Sequence, residues 1–410
     1  MNLEPLLASS GPREHSGVSR GSESAFTGRR VLLISPQAWN GLTLSKHHYA
    51  IELAKHGSEV FFLNPPSTSG FRPRISPGPH ASLWIVDYSQ LSRGRRFLPQ
   101  SFNYAIEAAQ AKILQRALGA RLDVVWSFDP ARFTSLNQFD AMLHLFHAVD
   151  RVPPDAVERI AASADAVISV SDLILDDFEP SGVPRFFVNH GLTEDYARLA
   201  RQRLASLAYG MMDRPSAPYR AGYVGNLLHP AIDHSTFSCI IQENADIEFH
   251  FWGPSDYAAL AWKHPGVPEV REFVSFLGRR KNVFLHGLMP PAEIAPRLTN
   301  MHLFLTCYDP AAELNRGSNN HKLLEYLSTG KPVVTNHVST YVRDGIPGGL
   351  LCMPKTLDNR GLPALFQHVI GRLGALSSTE QQQHRLQFAL ANTYADQLRS
   401  IDSIAASLPR

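Results

Sequence analysis

The chain has 410 residues, 44% of them hydrophobic and 19% charged, with a formal net charge of +2. That length exceeds one ordinary core and suits two domains, and the composition excludes a disordered chain. The charge is too balanced for a nucleic-acid binder, which concentrates basic residues on one face.

The cysteines are Cys239, Cys307 and Cys352, far apart and without a CxxC pair. This excludes a zinc ribbon and a disulfide framework and fits a reducing compartment. No stretch reaches the ~20 apolar residues of a membrane helix, and the first residues lack the apolar core of a signal peptide. The expected location is cytoplasmic, with docking on the inner face of a membrane left open.

Residues 1–28 carry much Ser, Gly, Glu and Arg and are expected as a disordered tail. An apolar run over residues 30–35 predicts a buried parallel strand. A loop holding Trp39, Asn40, Gly41 and Thr43 follows, then a helix from Ser45, its expected cap, to His56. Gly57 stops that helix, and residues 59–63 form the next strand. Further strands are predicted at 123–127, 142–146, 166–170 and 185–189, with helices at 157–163 and 173–178 between them. Strands alternating with helices predict a doubly wound parallel sheet.

A second series begins near Tyr219. Strands are predicted at 219–224, 247–252, 283–285, 302–306, 332–335 and 350–353, and a helix at 320–328 stopped by Gly330. The expected fold class is therefore α/β, with two Rossmann-like domains facing across a cleft. The boundaries are 29–203 for the first domain, 204–218 for a Gly- and Pro-containing hinge, 219–378 for the second domain and 379–410 for C-terminal helices. Ligands of such sheets sit at the carboxyl ends of the strands.

The segment Asn319-Asn-His-Lys-Leu-Leu-Glu-Tyr-Leu-Ser-Thr-Gly-Lys-Pro-Val-Val-Thr335 resembles the donor-site helix of "group 1" glycosyltransferases of the B type. Gly222-Tyr-Val-Gly-Asn226, Phe249-His-Phe-Trp-Gly-Pro254 and Asn282-Val-Phe-Leu-His-Gly287 resemble, in order, the strand ends of the donor domain. Phe146-His-Ala-Val-Asp150, residues 164–171 and Asn189-His-Gly-Leu192 resemble the acceptor domain. The resemblance covers residues 29–353 and is denser in the second half. It implies transfer of a sugar from a nucleotide-sugar donor to a glycan or lipid-linked acceptor, in polysaccharide or glycoconjugate synthesis. It also implies no bound metal, the phosphates being met by helix ends and basic side chains.

The residues carry matching chemistry. Ser318 and Asn319 can cap a helix whose free N–H groups suit a diphosphate. Lys322 adds a full positive charge, and Glu325, on the same helical side, can accept both hydroxyls of a ribose; the competing reading is a plain surface ion pair. Gly225 and Asn226 let backbone approach a phosphate or sugar. Trp252 and Gly253 frame a base site or belong to the core, and His286 and Gly287 lie on the same rim. Asp150 is a candidate general base, with a turn aspartate as the competing reading, and His147 is its rival. Gly41 and Thr43 form a cleft loop or an ordinary turn. His47 and His48 are adjacent, so their side chains diverge on a helix and lack a third ligand, which excludes a metal site. Arg93-Gly-Arg-Arg-Phe-Leu98, with Phe102 and Tyr104 beyond, fits an anionic lipid surface or a solvated loop.

One departure stands out. Retaining members of the resembled group often carry a glutamate eight positions before the one matched by Glu325, and here that position is Gly317; Glu313 is off the spacing. Inversion and retention therefore both remain open, as do the base, the sugar, the acceptor and the oligomeric state. A nucleotide-sugar epimerase and a catalytically silent nucleotide-sugar-binding subunit are the alternative functions. A Rossmann dehydrogenase is disfavoured, because residues 36–41 do not read GxGxxG.

Overall fold

The computed structural model describes residues 24–67, 72–92, 99–119, 121–211, 215–256, 267–309, 312 and 319–409. The first half supplies strands β1 (Arg30–Ile34), β2 (Glu59–Leu63), β3 (Arg74–Pro77), β4 (Leu83–Asp87), β5 (Val124–Ser127), β6 (Leu143–Ala148), β7 (Ala166–Ser169) and β8 (Arg185–Phe187). Its helices are α1 (Ser45–Lys55), α2 (Gln100–Leu118), α3 (Pro154–Ala161), α4 (Asp172–Asp176) and α5 (Glu194–Ala208). The sheet order is β3-β4-β2-β1-β5-β6-β7-β8, parallel throughout except for β3. Hairpin β3–β4 and helix α2 were not predicted; β3 is largely exposed and lacks an apolar run, so its pattern is silent.

The second half supplies β9 (Arg220–Val224), β10 (Glu248–Trp252), β11 (Val283–Leu285), β12 (Leu303–Leu305) and β13 (Val333–Val334), paired in the order β11-β10-β9-β12-β13 and all parallel. Around them lie α6 (His234–Glu243), α7 (Pro268–Arg279), α8 (Pro291–Leu298), α9 (His321–Leu327), α10 (Leu362–Gly371), α11 (Leu373–Leu376), α12 (Thr379–Leu390) and α13 (Tyr394–Ser407). The strand expected at 350–353 is only a single bridge, Val334 to Cys352.

Each sheet is covered on both faces, as parallel sheets require. On the first, Val31 and Leu33 pack with α1, while Leu32 and Ile34 pack with α2 and α3. Leu398, Ile401, Ala405 and Leu408 of α13, or just past its end, also join the α1 face. The last helix of the chain thus occupies a slot on the first sheet. In exchange, Tyr196 and Ala197 of α5 join the core of the second sheet.

These exchanges relocate the crossing between the sheets. The segment expected as a hinge, 204–218, begins as the last turn of α5, which already packs on the second sheet. The chain crosses earlier, around residues 188–193, and returns at 391–393. The two crossings lie side by side: Leu192 N–H donates to the Asn392 carbonyl at 2.7 Å and Tyr394 N–H to the Leu192 carbonyl at 3.3 Å. Gly191 permits this contact, since a Cβ there would sit 2.3 Å from the Tyr394 ring. Arg343, after β13, adds a two-pronged ion pair to Asp172 of α4 at 2.7 and 3.2 Å.

Among the described residues no helix is long and apolar enough to cross a membrane. The expected tail lies almost wholly outside the described residues. Within them, the Ser24 hydroxyl and the Ala25 and Phe26 N–H groups bond the Asp402 carboxylate of α13.

Candidate functional site

The carboxyl ends of β9 and β10 meet without side chains between them. Gly225 N–H donates to the Trp252 carbonyl at 2.8 Å, and Gly253 N–H donates to the Gly287 carbonyl at 2.8 Å. Gly253 has φ +139°, and a Cβ on it would lie 1.9 Å from the Gly225 carbonyl oxygen. Only glycine fits there. Asn226 makes the turn that follows, its Oδ1 accepting the Leu228 N–H at 3.0 Å.

Helix α9 is keyed onto this floor. The Tyr326 hydroxyl accepts the Val224 N–H at 2.7 Å, and its ring stacks on Phe304 at 4.2 Å. Asn320, not Ser318 or Asn319, is the cap: its Oδ1 accepts the Lys322 N–H at 3.0 Å. The backbone is extended at Asn320, and Ser318, Gly317 and Glu313 lie outside the described residues. The keying brings the Lys322 ammonium against the strand end, 2.6 Å from where a Gly225 Cβ would be. One turn on, Glu325 lies beside Tyr196 of α5, with His321 Nε2 at 3.9 Å. Its side chain is 16% exposed. Burial pushes its pKa up to about 7, against the opposing pull of Lys322 and the Tyr196 hydroxyl.

Asn319 points away from this wall. Its Nδ2 donates to Asn189 Oδ1 at 2.5 Å, and its carbonyl accepts His190 Nε2–H at 2.8 Å. Asn189 Nδ2 donates in turn to Asn392 Oδ1 at 3.2 Å. A chain of amides, Asn319 and Asn189 buried and Asn392 partly so, thus ties the start of α9 to both crossings. Buried amides of this kind are costly unless paired, so the register of the two halves is strongly specified here.

The opposite wall comes from the first sheet. Asp150 follows β6 and is exposed, close enough to His190 and Lys46 to influence both electrostatically. His147 does not share that position. It is 1% exposed, with its ring against Tyr49, Trp126 and Phe128 at centroid distances of 5.5, 5.9 and 4.7 Å. Neither ring nitrogen has a partner among the described residues, and burial pushes its pKa down to about 3. His147 is a neutral core residue that no acceptor hydroxyl reaches, which removes it as a base. Its place on an alternating strand end was compatible with either orientation.

The loop before α1 is pinned by Trp39 N–H donating to Asn64 Oδ1 at 2.8 Å and by His47 Nε2–H on the Ala38 carbonyl at 3.2 Å. Gly41 and Thr43 stand exposed at its tip. Leu44 occupies the cap position expected for Ser45, its N–H donating to His47 Nδ1 at 3.1 Å. His47 and His48 diverge, one ring against Phe62 and the other stacked on Tyr394 at 4.6 Å. Among the described residues no group of His, Cys, Asp and Glu is arranged to hold a metal ion.

Trp252 is 2% exposed and lies in the core rather than lining an open face. The ring that presents itself is His286, stacked on Trp252 at 4.7 Å and joined to His250 Nδ1 at 3.0 Å. The basic stretch 93–98 lies outside the described residues; Phe102 and Tyr104 beyond it are exposed.

Sequence reasoning missed Tyr196, Tyr394, His190 and Lys46. Tyr196 and Tyr394 are distant in sequence from Glu325 and His48, and no local pattern announces such contacts. Lys46 left a signal: a lysine in the first turn of a helix opposes the helix dipole and asks for a reason.

The sequence matches no protein-family model and no curated protein. Solved structures do resemble it. A sucrose-phosphate synthase from Thermosynechococcus elongatus has 14% identity and a TM-score of 0.63, covering 92% of this chain and 98% of its own. A UDP-forming α,α-trehalose-phosphate synthase from Burkholderia vietnamiensis has 12% identity and a TM-score of 0.62, covering 92% and 96%. The Anabaena protein HepE, in complex with UDP-glucose, has 14% identity and a TM-score of 0.61, covering 93% and 100%. The likeness runs through both sheets and the crossings between them, and the chain accordingly has the glycosyltransferase B-type fold, two Rossmann-like units facing across a cleft.

Proposed function

We propose that the chain is a glycosyltransferase that moves a sugar from a nucleotide-sugar donor to a glycan or lipid-linked acceptor, in polysaccharide or glycoconjugate synthesis. The observation that carries this is the Lys322 ammonium held against the side-chain-free end of β9, one helical turn before Glu325. A diphosphate lying on the Gly225–Gly253 floor meets backbone at close range and the charge of Lys322. Glu325, aimed by Tyr196, accepts the ribose hydroxyls. The likeness in fold to a protein solved with UDP-glucose supports the same reading. In this reading Lys322 meets the phosphates and no metal is needed.

Asp150 is the proposed general base, exposed on the opposite wall where an acceptor hydroxyl would enter. The test incubates the full chain with UDP-, GDP-, ADP- and TDP-sugars, first by thermal shift and then with a glycan acceptor panel. One donor is expected to raise the melting temperature, and Asp150→Asn to bind it normally without transfer. Binding without transfer by the wild type would point to a silent subunit. Donor turnover without an acceptor would point to an epimerase. Absence of binding to any donor would overturn the proposal.

A further inference from the structure

Beside the two crossings lies a cavity of about 580 Å³. Its walls come from both halves: the end of β8 and the start of the first crossing, the loop 343–347 after β13, part of α12, and the second crossing with α13. Gly225, Lys322, Glu325 and Asp150 do not border it. A cavity of this size at a domain boundary suits a small ligand.

Its charged groups are engaged or turned to solvent. The Arg343 guanidinium pairs with Asp172 and lies over the Phe187 ring at 4.0 Å. His384 Nε2 is joined to the Gly348 carbonyl at 3.0 Å, and Asp344 is exposed. What remains for a ligand is chiefly neutral amides beside the half-buried rings of Phe187 and Phe388. Gln397 is the decisive amide. It is 6% exposed, and its Nε2 donates to Asn392 Oδ1 at 2.9 Å. Its Oε1 takes no hydrogen bond among the described residues. An amide oxygen left open in a cavity wall calls for a donor from whatever fills the cavity. Amides beside aromatic faces match the two aspects of a sugar ring, its hydroxyls and its C–H face.

The amides also lead out of the cavity. Asn392 Oδ1 accepts from Asn189 Nδ2 as well, and Asn189 Oδ1 accepts from Asn319 Nδ2, next to the Asn320 cap of α9. Three hydrogen bonds therefore separate Gln397 from the start of the helix that carries Lys322 and Glu325.

We propose that this cavity is a second ligand site, for a neutral saccharide of one or two rings, and that its occupancy is felt at the start of α9. The ligand touches both halves, so it favours one relative placement of the crossings and shifts the population toward it. The site is defined without the glycosyltransferase reading; only an effect on donor binding rests on that reading.

The test titrates the full chain calorimetrically with maltose, cellobiose and lactose, and with glucose 6-phosphate as a charged comparison. Wild type is compared with Ser400→Trp, which projects a ring into the cavity from an exposed position of α13 and leaves the amides in place. Gln397→Met keeps the stem and removes the amide; if it does not fold, Ser400→Trp decides alone. At least one disaccharide is expected to bind the wild type and to bind the variants roughly tenfold or more weakly. The same disaccharide should slow amide hydrogen exchange at 319–324 in the wild type and not in Ser400→Trp. Equal affinity in Ser400→Trp would place the sugar in the cleft and overturn the proposal. So would binding of glucose 6-phosphate alone, binding of none of the sugars, or unchanged exchange at 319–324. Failure of the wild type to bind any nucleotide-sugar would sink the glycosyltransferase reading and leave the saccharide titration to decide the cavity.

Discussion

Lys322, in the first turn of α9, and Lys46, in the first turn of α1, are held in opposite ways. Lys322 is partly exposed and rests on backbone, with Gly225 and Gly253 clearing the ground beneath it. Lys46 is 3% exposed, with the Asp150 and Asp129 carboxylates within electrostatic reach. The first wall is a shape made by missing Cβ atoms, and the second is a charge confined by packing. Backbone floors suit a ligand common to many enzymes, such as a diphosphate.

The sharpest way to break this contrast is to add one methyl group on each side. Gly253→Ala places a carbon 1.9 Å from the Gly225 carbonyl at a φ of +139°. It should lower stability by roughly 3–5 kcal/mol in urea unfolding and abolish donor binding. Gly41→Ala, at an exposed loop tip, should shift stability by about 1 kcal/mol or less. Similar losses at both positions would mean that the donor floor is not backbone-defined.

Glu325 sharpens the comparison through pH. Its folded value of about 7 lies above the ordinary 4.5, so the folded chain retains a proton that the unfolded chain releases. That contribution is complete below pH 4.5 and is lost as pH rises through 7. Across this window the wild type should lose up to about 3 kcal/mol relative to Glu325→Gln, read from urea midpoints at each pH. Parallel pH profiles would show that Glu325 is hydrated in the folded chain.

The smallest expected effect on stability is that of Lys322→Met, within about 0.5 kcal/mol, because the group is partly exposed. Donor affinity should nevertheless fall roughly ten- to hundredfold by calorimetry. Unchanged affinity would detach the diphosphate from this wall.

Much of the fold was legible because buried parallel strands are continuous apolar runs, as at Val31–Ile34 and Val60–Leu63. The 319–335 motif was legible through its resemblance to the donor-site helix of B-type glycosyltransferases, carried by Lys322, Glu325 and Tyr326 among its residues. What resisted was long-range. That α5 belongs to the second sheet and α13 to the first depends on Tyr196 and Ala197 packing in the second core and on Leu398 meeting the α1 face, contacts with no signature in either segment. The orientation of His147 was also hidden, because a strand-end residue alternates faces and one residue of register decides between cleft and core.

The exchange of α5 and α13 bears on how the chain is made. Synthesis delivers the strands of the first sheet early, but Leu398, Ile401, Ala405 and Leu408, which cover part of it, emerge only after the whole second sheet. Until then, Tyr49, Leu53 and their neighbours lack their apolar cover on a nearly finished sheet. A domain that ordinarily folds as it leaves the ribosome must here wait for the second domain to be made. The interval exposes an apolar face on the nascent chain, where a holdase chaperone would find it.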